Sequence, residues 1–575
     1  MFRTIAKFTI GLLICYSHEC FGQIAFQETQ EQAGISEQQL NYGCYLGDFN
    51  NDGYDDLFIT RRSGDAFNSL YENNRDGTFS DVSCILNNQS KHSSAAIWFD
   101  YNNDGWQDLL IANNVQEGHV LLRNNRDETF TDVTESAGVG GIKKETKSVN
   151  AADLNGDGWL DLYLNNFGED NELYLNNRDE TFTESVKISG VNHKGRAMGV
   201  VIFDYDNDTD QDIFLTFDGQ PFVLYENNGL AQFIDVSLRT QTNLTGFGMG
   251  ADIADINGDG FMDIYVTNLY ENFLMTSNGD LTFSENGKTA GVADLGMGWG
   301  CNFVDVDNDG YPEIYVTNEY GFSPKKNVLY KNMRNLTFDK IADDAISSPY
   351  SGFGSAISDF NQDGKQDIFI SNTNYVYQIL ANQSEAGNWI KIKLLDPQEN
   401  WHAVGAQVQL TSLNSNQMDQ LTAGSGHASQ SSNIFHFGLG VAHVAESIKV
   451  TWPNGDIQKI GQLEANQTYL LVKDQDPNVF EPDNYLAQFP SQPLISLSTL
   501  DVSEKNRNEF YPNPVTHFLN IKDKVSELTV INNSGQRITI HPNNISETTF
   551  DLSTLPKGLY FLKINNRWKK LIIQR

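Results

Sequence analysis

Residues 152–166 read ADLNGDGWLDLYLNN, an acidic loop that runs directly into a strand-like segment. The loop carries oxygen-bearing side chains at alternate positions, Asp153, Asn155 and Asp157, and a further carboxylate at Asp161. Gly158 permits a tight turn that a side chain would obstruct. The segment that follows is short and rich in large apolar residues, as in a β-strand. The stretch therefore predicts an acidic loop that joins two strands.

The same loop recurs seven times. The copies begin at Asp48, Asp100, Asp153, Asp204, Asp255, Asp305 and Asp359, at steps of 50 to 54 residues. A fixed period of this size indicates a repeat architecture. Glycine occupies the sixth position in six copies, and Thr209 replaces it in the fourth. Seven copies in register are better explained by a shared ligand than by seven empty turns.

The ligand that these loops predict is calcium, which takes six to eight oxygen ligands. An EF-hand would need a glutamate at position 12 and flanking helices, but position 12 is apolar in every copy, as at Leu164. We therefore expect up to seven calcium sites within β-hairpins, with Mg²⁺ and partial occupancy left open and the fourth loop the weakest candidate. The predicted ligands are the residues at positions 1, 3, 5, 7 and 9, with the seventh contributing its carbonyl or, in the fourth loop, a further carboxylate: Asp48, Asn50, Asp52, Tyr54 and Asp56; Asp100, Asn102, Asp104, Trp106 and Asp108; Asp153, Asn155, Asp157, Trp159 and Asp161; Asp204, Asp206, Asp208, Asp210 and Asp212; Asp255, Asn257, Asp259, Phe261 and Asp263; Asp305, Asp307, Asp309, Tyr311 and Glu313; and Asp359, Asn361, Asp363, Lys365 and Asp367.

Each period also contains the signals of four strands. A run of small residues precedes the loop, and a strand, an Asn/Asp/Gly turn and a Thr-Phe strand follow it. Four strands in about 51 residues predict an all-β fold, a β-propeller of seven blades over residues 23–384. The seventh period lacks its Thr-Phe strand, whereas residues 24–35 (IAFQETQEQAGI) supply the equivalent piece, with Phe26 seven residues before Ala33 as Phe130 is before Ala137. We therefore expect the N-terminal strand to complete the seventh blade and close the ring.

The repeats resemble the FG-GAP/VCBS family, whose propellers include the head of the integrin α-subunit, over residues 24–383. The resemblance implies calcium-bearing loops on the blades. It implies no particular ligand, because one fold hosts many functions.

The repeat ends near Asn382, and residues 386–474 predict a small β-sandwich or barrel from alternating apolar residues and glycine turns. Gly405-Ala406, the run FHFGLG at 435–440 and Trp452-Pro453-Asn454-Gly455 resemble the ASPIC/UnbV domain of the cartilage acidic protein family. His402, His427, His436 and His443 lie in this segment without metal-ligand spacing. We expect them to have structural or surface roles.

The two ends of the chain indicate export. Residues 1–22 have a basic start, a short apolar core and small residues before a cleavage point, as in a secretory signal peptide. Residues 475–500 contain four prolines and predict a linker. Residues 501–575, with Tyr511-Pro512-Asn513-Pro514 and Gly558-Leu559-Tyr560, resemble the type A sorting domain of type IX secretion cargo in Bacteroidota. This resemblance implies the type IX machinery as a partner and a secreted or outer-surface location, with no transmembrane segment.

Composition restricts the function. The chain has 39 basic and 75 acidic residues and a net charge of −36, which disfavours nucleic acid as a partner. After cleavage three cysteines would remain, Cys44, Cys84 and Cys301, and we expect mainly inert thiols. The sequence favours a calcium-binding module for adhesion to an extracellular protein or glycan. A secreted polysaccharide-active enzyme is the alternative, although no nucleophile–base set is recognisable.

Overall fold

The computed structural model describes residues 23–482 apart from 36–40, 63–66, 87–91, 115–117, 141–143, 374 and 414, together with the backbone of the strands in 510–573. The predicted signal peptide at 1–22 lies outside the described residues. The chain divides into two units, residues 1–490 and 491–575. The fold is all-β, and short helical turns are its only described helices: a 3₁₀ turn at Ser83–Leu86, α1 (Thr134–Ala137), α2 (Val186–Ser189), α3 (Ser237–Thr240) and α4 (Gly287–Ala290).

Strand β1 (Phe26–Glu28) is followed by a series of antiparallel units whose strands pair in sequence order. The strands of the first four units are β2 (Asn41–Gly47), β3 (Asp56–Arg61), β4 (Ser69–Asn73), β5 (Phe79–Asp81); β6 (Ser93–Phe99), β7 (Asp108–Asn113), β8 (Val120–Asn124), β9 (Phe130–Asp132); β10 (Thr146–Ala152), β11 (Asp161–Asp170), β12 (Glu172–Asn176), β13 (Phe182–Glu184); and β14 (Lys194–Phe203), β15 (Asp212–Pro221), β16 (Val223–Asn227), β17 (Phe233–Asp235). The later units consist of β18 (Thr245–Ala254), β19 (Asp263–Asn268), β20 (Phe273–Ser277), β21 (Phe283–Glu285); β22 (Gly298–Val304), β23 (Glu313–Asn318), β24 (Val328–Asn332), β25 (Phe338–Lys340); and β26 (Gly352–Ser358), β27 (Asp367–Asn372), β28 (Gln378–Asn382).

The last of these units has three strands of its own, and β1 supplies the fourth. Phe26 pairs with Asn382 and Glu28 with Leu380 in antiparallel register. The buried Phe26 side chain packs in the core of that unit. Residues from the two ends of the propeller segment therefore share one sheet.

The first strands of successive units lie side by side around a common axis. Thr267 Oγ1 donates to the carbonyl of Trp299 (2.6 Å) and Thr317 Oγ1 donates to that of Phe353 (2.8 Å). Ser371 Oγ of the last unit donates to the carbonyl of Tyr42 in the first. A Cβ at Gly250 would lie 2.5 Å from the Trp299 carbonyl, so only glycine fits this approach. These contacts explain the small residues of the inner strands and close the units into a ring.

An asparagine at the end of the third strand ties six of the seven units to the preceding acidic loop. Asn176 Nδ2 donates to the carbonyl of Tyr101 in the loop before it (2.7 Å). Asn73 Nδ2 donates to Phe360 of the last loop (3.0 Å). Equivalent bonds link Asn124 to Phe49, Asn227 to Leu154, Asn332 to Ile256 and Asn382 to Val306. In the fifth unit Ser277 occupies the position. Apart from the fifth unit, the bonds run around the ring and return to its start.

A second module, the cap (residues 388–482), follows without a long linker. Its strands are β29 (Asn388–Leu395), β30 (Gln407–Ser412), β31 (Ser415–Gln420), β32 (Ser429–Gln430), β33 (Phe435–Gly440), β34 (Val444–Ala445), β35 (Ser447–Thr451), β36 (Ile457–Ile460), β37 (Leu463–Glu464), β38 (Gln467–Val472) and β39 (Asn478–Val479). Two four-stranded sheets, β33-β29-β38-β39 and β31-β30-β35-β36, enclose an apolar core that includes Ile392, Val408 and Trp452. Strand β39 lies within the predicted linker at 475–500, because its backbone completes the sheet beside β38.

The C-terminal unit contains seven described strands: β40 (Phe510–Tyr511), β41 (Phe518–Ile521), β42 (Leu528–Asn532), β43 (Arg537–Ile540), β44 (Thr549–Asp551), β45 (Gly558–Ile564) and β46 (Arg567–Ile573). They form two antiparallel sheets, β40-β41-β44 and β43-β42-β45-β46. This arrangement is a small all-β domain.

Candidate metal sites

Hydrogen bonds from its own backbone shape each acidic loop. In the third loop Asp153 accepts from the N–H of Asp157 (3.0 Å) and of Gly158 (2.7 Å), one bond to each carboxylate oxygen. Asp157 Oδ1 accepts from the N–H of Trp159 (3.1 Å). The same three bonds occur in the other six loops. The first and fifth carboxylates are therefore oriented by the fold itself.

The fourth loop adopts the same turn without glycine. Thr209 has a φ of 78°, a left-handed conformation that is costly for a β-branched residue. Its N–H still donates to Asp204 Oδ2 (2.9 Å). The substitution that made this loop the weakest candidate in the sequence thus leaves the loop geometry intact.

The ninth residue of each loop begins the second strand and holds the hairpin together. Asp161 accepts from the N–H of Leu154 (3.0 Å) on one oxygen and from that of Asn176 (2.7 Å) on the other. The equivalent pairs of bonds occur at Asp56, Asp108, Asp212, Asp263 and Glu313. The ninth carboxylate therefore has a structural role as well as a position beside the predicted site.

Burial and mutual repulsion disfavour the charged form of these carboxylates. Burial, with Asp157 nearby, raises the pKa of Asp153 to about 7. Burial and then Asp104 raise the pKa of Asp100 to about 8. The pKa of Asp161 is raised well above its ordinary value, first by burial and then by Asp153 and Asp157. A divalent cation among these oxygens would offset the repulsion and favour the ionised carboxylates.

Unpartnered buried oxygens provide a test of whether a metal fits. Asn102 Oδ1, Asn155 Oδ1 and Asp206 Oδ1 are buried without a hydrogen-bond partner, and all three belong to the third position of their loops. Such atoms cost about 1–3 kcal/mol each unless a ligand satisfies them. Ligand oxygens of Asp204, Asp206 and Asp212 also lie within 4.8 Å of one another. These loops fit a hard cation.

In three other loops the third residue has turned its amide group. The Nδ2 atoms of Asn50, Asn257 and Asn361 donate to the carboxylate of the fifth residue, at 3.3, 2.9 and 3.4 Å. An amide nitrogen is a donor and cannot bind a cation. A metal in these loops requires a different position for the Asn oxygen, which accepts from the backbone of the fifth residue.

The sixth loop contains a cationic side chain. Asp305, Asp307 and Glu313 have ligand oxygens within 4.8 Å of one another, as a metal site requires. Lys331 Nζ, from β24, lies 2.8 Å from Asp307 Oδ1 and 2.9 Å from Glu313 Oε1. Nothing in the local motif indicated this contact, because Lys331 lies 18 residues beyond Glu313.

The cap covers the face of the ring that carries the acidic loops. Lys391 Nζ lies 2.6 Å from Asp359 Oδ2 and Gln407 Nε2 lies 3.2 Å from Asp204 Oδ2. The remaining loops are reached by Lys393 (Asp48), Trp401 (Gly105), Asn400 (Gly158), Asn416 (Gly258) and His436 (Asn308). All seven loops therefore lie beneath the cap.

One segment of the cap, residues 421–432, enters the axis of the ring; we call it the axis segment. Cys44 N–H donates to the carbonyl of Ala428 (3.1 Å), and β32 continues alongside β2 in parallel register. Gly426 and Ala251 exchange backbone hydrogen bonds of 2.7 and 3.2 Å. Gln430 both donates to and accepts from the backbone of Trp98. The axis is thus filled by the chain itself.

The far end of the axis is apolar. His427 is fully buried there, packed on Trp299 with its Nε2 3.1 Å from the Tyr42 hydroxyl. Burial, with Lys147 and Arg62 nearby, lowers the pKa of His427 to about 3. His402 is also buried and His436 is half-buried. Burial, followed by Lys393 and Lys391 respectively, lowers the pKa of each to about 3. These histidines are neutral side chains at the cap–ring interface.

A small cavity lies between the cap and the loops. Its volume is about 180 Å³ and its lining includes Asp252, Asp419, Ser425 and Lys391. Burial raises the pKa of both Asp252 and Asp419 to about 7. Sites for small organic ligands are typically 300–1,000 Å³, so this cavity has the size of a solvent-filled gap.

The cysteines have no disulfide partner among the residues that the structure covers. Cys44 and Cys301 are buried and Cys84 is exposed. Burial raises the pKa of the Cys44 thiol to about 12. Two of the three thiols are thus held in their unreactive protonated form.

Comparison with known families agrees with this division of the chain. FG-GAP-like repeats match residues 48–111, 100–164, 153–215 and 204–266, the ASPIC and UnbV domain matches 396–478, and a secretion system C-terminal sorting domain matches 509–574. The chain carries all three of these family domains. The cap is therefore the ASPIC/UnbV domain, and the ring is an FG-GAP propeller.

Known proteins that this chain resembles are distant in sequence. Cartilage acidic protein 1 of Xenopus tropicalis is 26% identical over 495 residues, covering 77% of this chain and 75% of its own. The Mus musculus protein is 25% identical, covering 76% and 74%. Among solved structures, a lectin of Agrocybe aegerita that recognises non-reducing terminal N-acetylglucosamine has a TM-score of 0.38 at 18% identity, over 59% of this chain and 87% of its own. BBS1N in complex with ARL6DN has a TM-score of 0.40 at 10% identity, over 61% and 94%.

The sorting domain indicates a secreted or surface protein. It is the C-terminal unit of the chain and its strands form a domain of their own. Over the described part of the chain, no helix has the length and apolar character needed to span a bilayer.

Proposed function

We propose that this protein is a secreted or cell-surface calcium-binding propeller that binds an extracellular protein or glycan through the rim opposite its acidic loops. The observation that supports this proposal is the position of the ASPIC/UnbV domain. It covers the loop face, and the axis segment fills the centre of the ring. Capture of a large ligand therefore has to use the uncapped rim, where the second and third strands of each unit are joined.

An exposed apolar arc lies on that rim in the fifth and sixth units. Phe247, Tyr270, Leu295 and Phe322 are 41%, 62%, 54% and 63% exposed. Backbone hydrogen bonds run along the arc, from Leu269 to Phe247 and from Tyr270 to Gly296. Large exposed apolar groups that adjoin one another favour an interaction site. Aromatic rings suit both protein surfaces and the apolar faces of sugars.

The conformation of Tyr270 supports the same assignment. Its φ is 82°, which is costly for a bulky residue, and its ring packs little of its surface against the fold. Backbone strain that burial does not compensate is concentrated at functional positions. Tyr270 is thus held outward by the turn between β19 and β20.

Calcium has a supporting role in this proposal. The acidic loops lie between the ring and the cap, and Lys391, Lys393 and Gln407 contact their first carboxylates. Cations in the loops would stabilise both the hairpins and the surface on which the cap rests. The loops themselves are covered and do not meet the ligand.

The alternative, a polysaccharide-active enzyme, lacks a comparable observation. Glycoside hydrolysis needs a pair of carboxyl groups, one of raised pKa, in an open cleft. Among the described residues, every Asp or Glu of raised pKa lies in or beside an acidic loop or beneath the cap. The exposed rim offers aromatic groups instead.

A binding screen tests the proposal. The secreted protein would be applied to arrays of glycans and extracellular proteins, and the triple variant F247A/Y270A/F322A compared with wild type. We expect the variant to lose at least about tenfold in affinity for the ligands found, because central aromatic contacts supply most of the binding energy of such surfaces.

The matched control is L230A/L281A/L336A, which removes three exposed leucines from turns at the opposite end of the strands. Binding and unfolding temperature should both be unchanged in this control. Equal binding by wild type and the rim variant would contradict the assignment of the face. Release of reducing ends from a bound polysaccharide would establish the enzyme instead.

A further inference from the structure

The sixth acidic loop differs from the others because a lysine ammonium group lies among its carboxylate oxygens. Lys331 Nζ is 2.8 Å from Asp307 Oδ1, 2.7 Å from Asp309 Oδ2 and 2.9 Å from Glu313 Oε1. These atoms belong to the third, fifth and ninth positions, all of which were predicted to bind calcium. The three donors of an ammonium group match the three carboxylates.

Lys331 is built into this position by the fold. It lies on β24 opposite Asp339, between Tyr330 and Asn332, and its side chain is only 4% exposed. The neighbouring Asn332 donates to the Ile256 carbonyl of the preceding loop, which fixes the end of the strand. The strand therefore holds the Lys331 ammonium group in a fixed position within the loop.

The other units have different residues at this strand position. They are Glu72, Arg123, Leu175, Glu226, Thr276 and Ala381. Glu72 Oε1 accepts from Asn50 Nδ2, so it adds an oxygen beside the first loop. Arg123 pairs with Glu180, outside its own loop. Among the described units, only the sixth places a cationic group from this position within hydrogen-bond distance of three predicted ligands.

Other cations contact the loops in a different way. Lys391 and Lys393 of the cap contact Asp359 Oδ2 and Asp48 Oδ2, the oxygens that also accept from Gly364 and Gly53. Each of these ammonium groups contacts the first residue of its loop, from the side of the cap. Arg75, Arg126 and Arg178 contact the fifth residues of the first three loops, Asp52, Asp104 and Asp157, at 3.1, 2.8 and 2.8 Å. These contacts are with the first or the fifth residue of a loop, whereas Lys331 contacts the third, fifth and ninth residues together.

We propose that the Lys331 ammonium is the resident cation of the sixth loop, so that this loop takes no calcium while the other loops do. A calcium ion would need the same oxygens at 2.3–2.6 Å, and two cations cannot share them in a buried site. The inference rests on the calcium assignment made under the proposed function. It corrects the expected maximum of seven calcium sites to six.

Because the Lys331 ammonium occupies the sixth loop, the contact between this loop and the cap does not depend on a metal ion. Gly387 N–H donates to the Asp307 carbonyl (2.8 Å), Gly440 N–H donates to that of Asn308 (2.7 Å), and His436 contacts Asn308 Oδ1 (2.7 Å). These bonds join the sixth loop to Gly387, just before β29, and to β33 of the cap. The cap would keep this attachment when calcium is withdrawn.

The test is a count of bound calcium by native mass spectrometry on the full chain in excess Ca²⁺. We expect K331M to bind one ion more than wild type, because it keeps the stem of the side chain and frees the three carboxylates that Lys331 contacts. The converse variant L175K places an ammonium at the equivalent position of the third unit, and we expect it to bind one ion fewer. L175M is its matched control and should bind as many ions as wild type.

Anomalous X-ray scattering from the bound ions would identify the loops. An ion in the sixth loop of wild type, or no added ion there in K331M, would overturn the proposal even if the other loops bind calcium. Failure of L175K to lose an ion from the third loop would also overturn it, and this result does not depend on the folding of K331M. No calcium in any variant would overturn it together with the calcium assignment, whereas ligand binding at the rim would be unaffected.

Discussion

Single asparagines at the ends of the third strands carry contacts between neighbouring units. Each side chain donates from Nδ2 to a loop carbonyl of the preceding unit and to a carbonyl of its own loop, as Asn176 does to Tyr101 (2.7 Å) and Leu160 (3.2 Å). These acceptors are buried, so their loss of a partner is costly. The only unit without this asparagine is the fifth, with Ser277, among the units described.

Exchanging these residues tests their contribution. Asn176→Ser should lower the free energy of unfolding by about 1–3 kcal/mol, because two buried carbonyls lose their donor. Ser277→Asn supplies the missing donor in the fifth unit and should raise the unfolding free energy by about 1 kcal/mol. Denaturant unfolding in calcium measures both. If both substitutions changed the unfolding free energy equally and in the same direction, these hydrogen bonds would not account for the stability of the contacts between units.

The residues of the loops were predictable from sequence and their neighbours were not. Positions 1, 5 and 9 are joined by hydrogen bonds within or just beyond the loop, so a repeated local motif identifies them. Lys331 acts across a hairpin and Gln407 from another domain, and neither has a repeated pattern. The asparagines were visible in the repeats, but their partners lie more than 70 residues away.

Among the structural elements, the axis segment depends most on contacts with residues that are distant in sequence. It leaves the cap after β31 and pairs with inner strands of several units, ending in β32 beside β2. From sequence, this segment is predicted only as part of the small β-sandwich or barrel at residues 386–474. Its conformation is imposed by a narrow channel whose walls were built by other parts of the chain.

His427 makes the fit of this segment sensitive to acid. Its pKa is lowered from an ordinary 6.5 to about 3, by burial first and by Lys147 and Arg62 next, while Tyr42 contacts its ring. Because the folded pKa lies below the unfolded value, the unfolded chain binds a proton that the folded chain does not. The contribution of neutral His427 is therefore complete above about pH 6.5 and is lost as the pH falls toward 3.

Comparison of wild type with His427→Gln isolates this effect. Between pH 6 and pH 4 the wild type should lose up to about 1.4 kcal/mol per pH unit more than the variant. His443→Gln, an exposed position on the cap, is the control and should follow wild type. Parallel curves for wild type and His427→Gln would show that the histidine becomes protonated without displacing the segment.

For the whole molecule, the ring and the cap form one unit and the sorting domain another. We expect calcium removal to act on the first unit, whose loops contain the crowded carboxylates. EDTA should lower its unfolding temperature, since each site at a hundredfold excess over its Kd contributes about 2.7 kcal/mol. Differential scanning calorimetry with and without Ca²⁺ measures the shift.

A variant ending at residue 490 provides the control for this experiment. Because it lacks only the second unit, it should show the same shift with EDTA as the full chain. An unfolding temperature that EDTA leaves unchanged in both proteins would contradict a structural role for calcium.

The pairing of β1 with β28 has a consequence for how the protein is made. Ala25 donates to Ser384, 359 residues along the chain, and the Phe26 strand is the outer edge of the last unit. Contacts of such high sequence separation form late and slowly. Because the chain is synthesised from its N-terminus, β1 has no partner strand until residue 384 has been made. Ring closure therefore follows completion of the propeller, and the ring stays open during the greater part of the chain's synthesis.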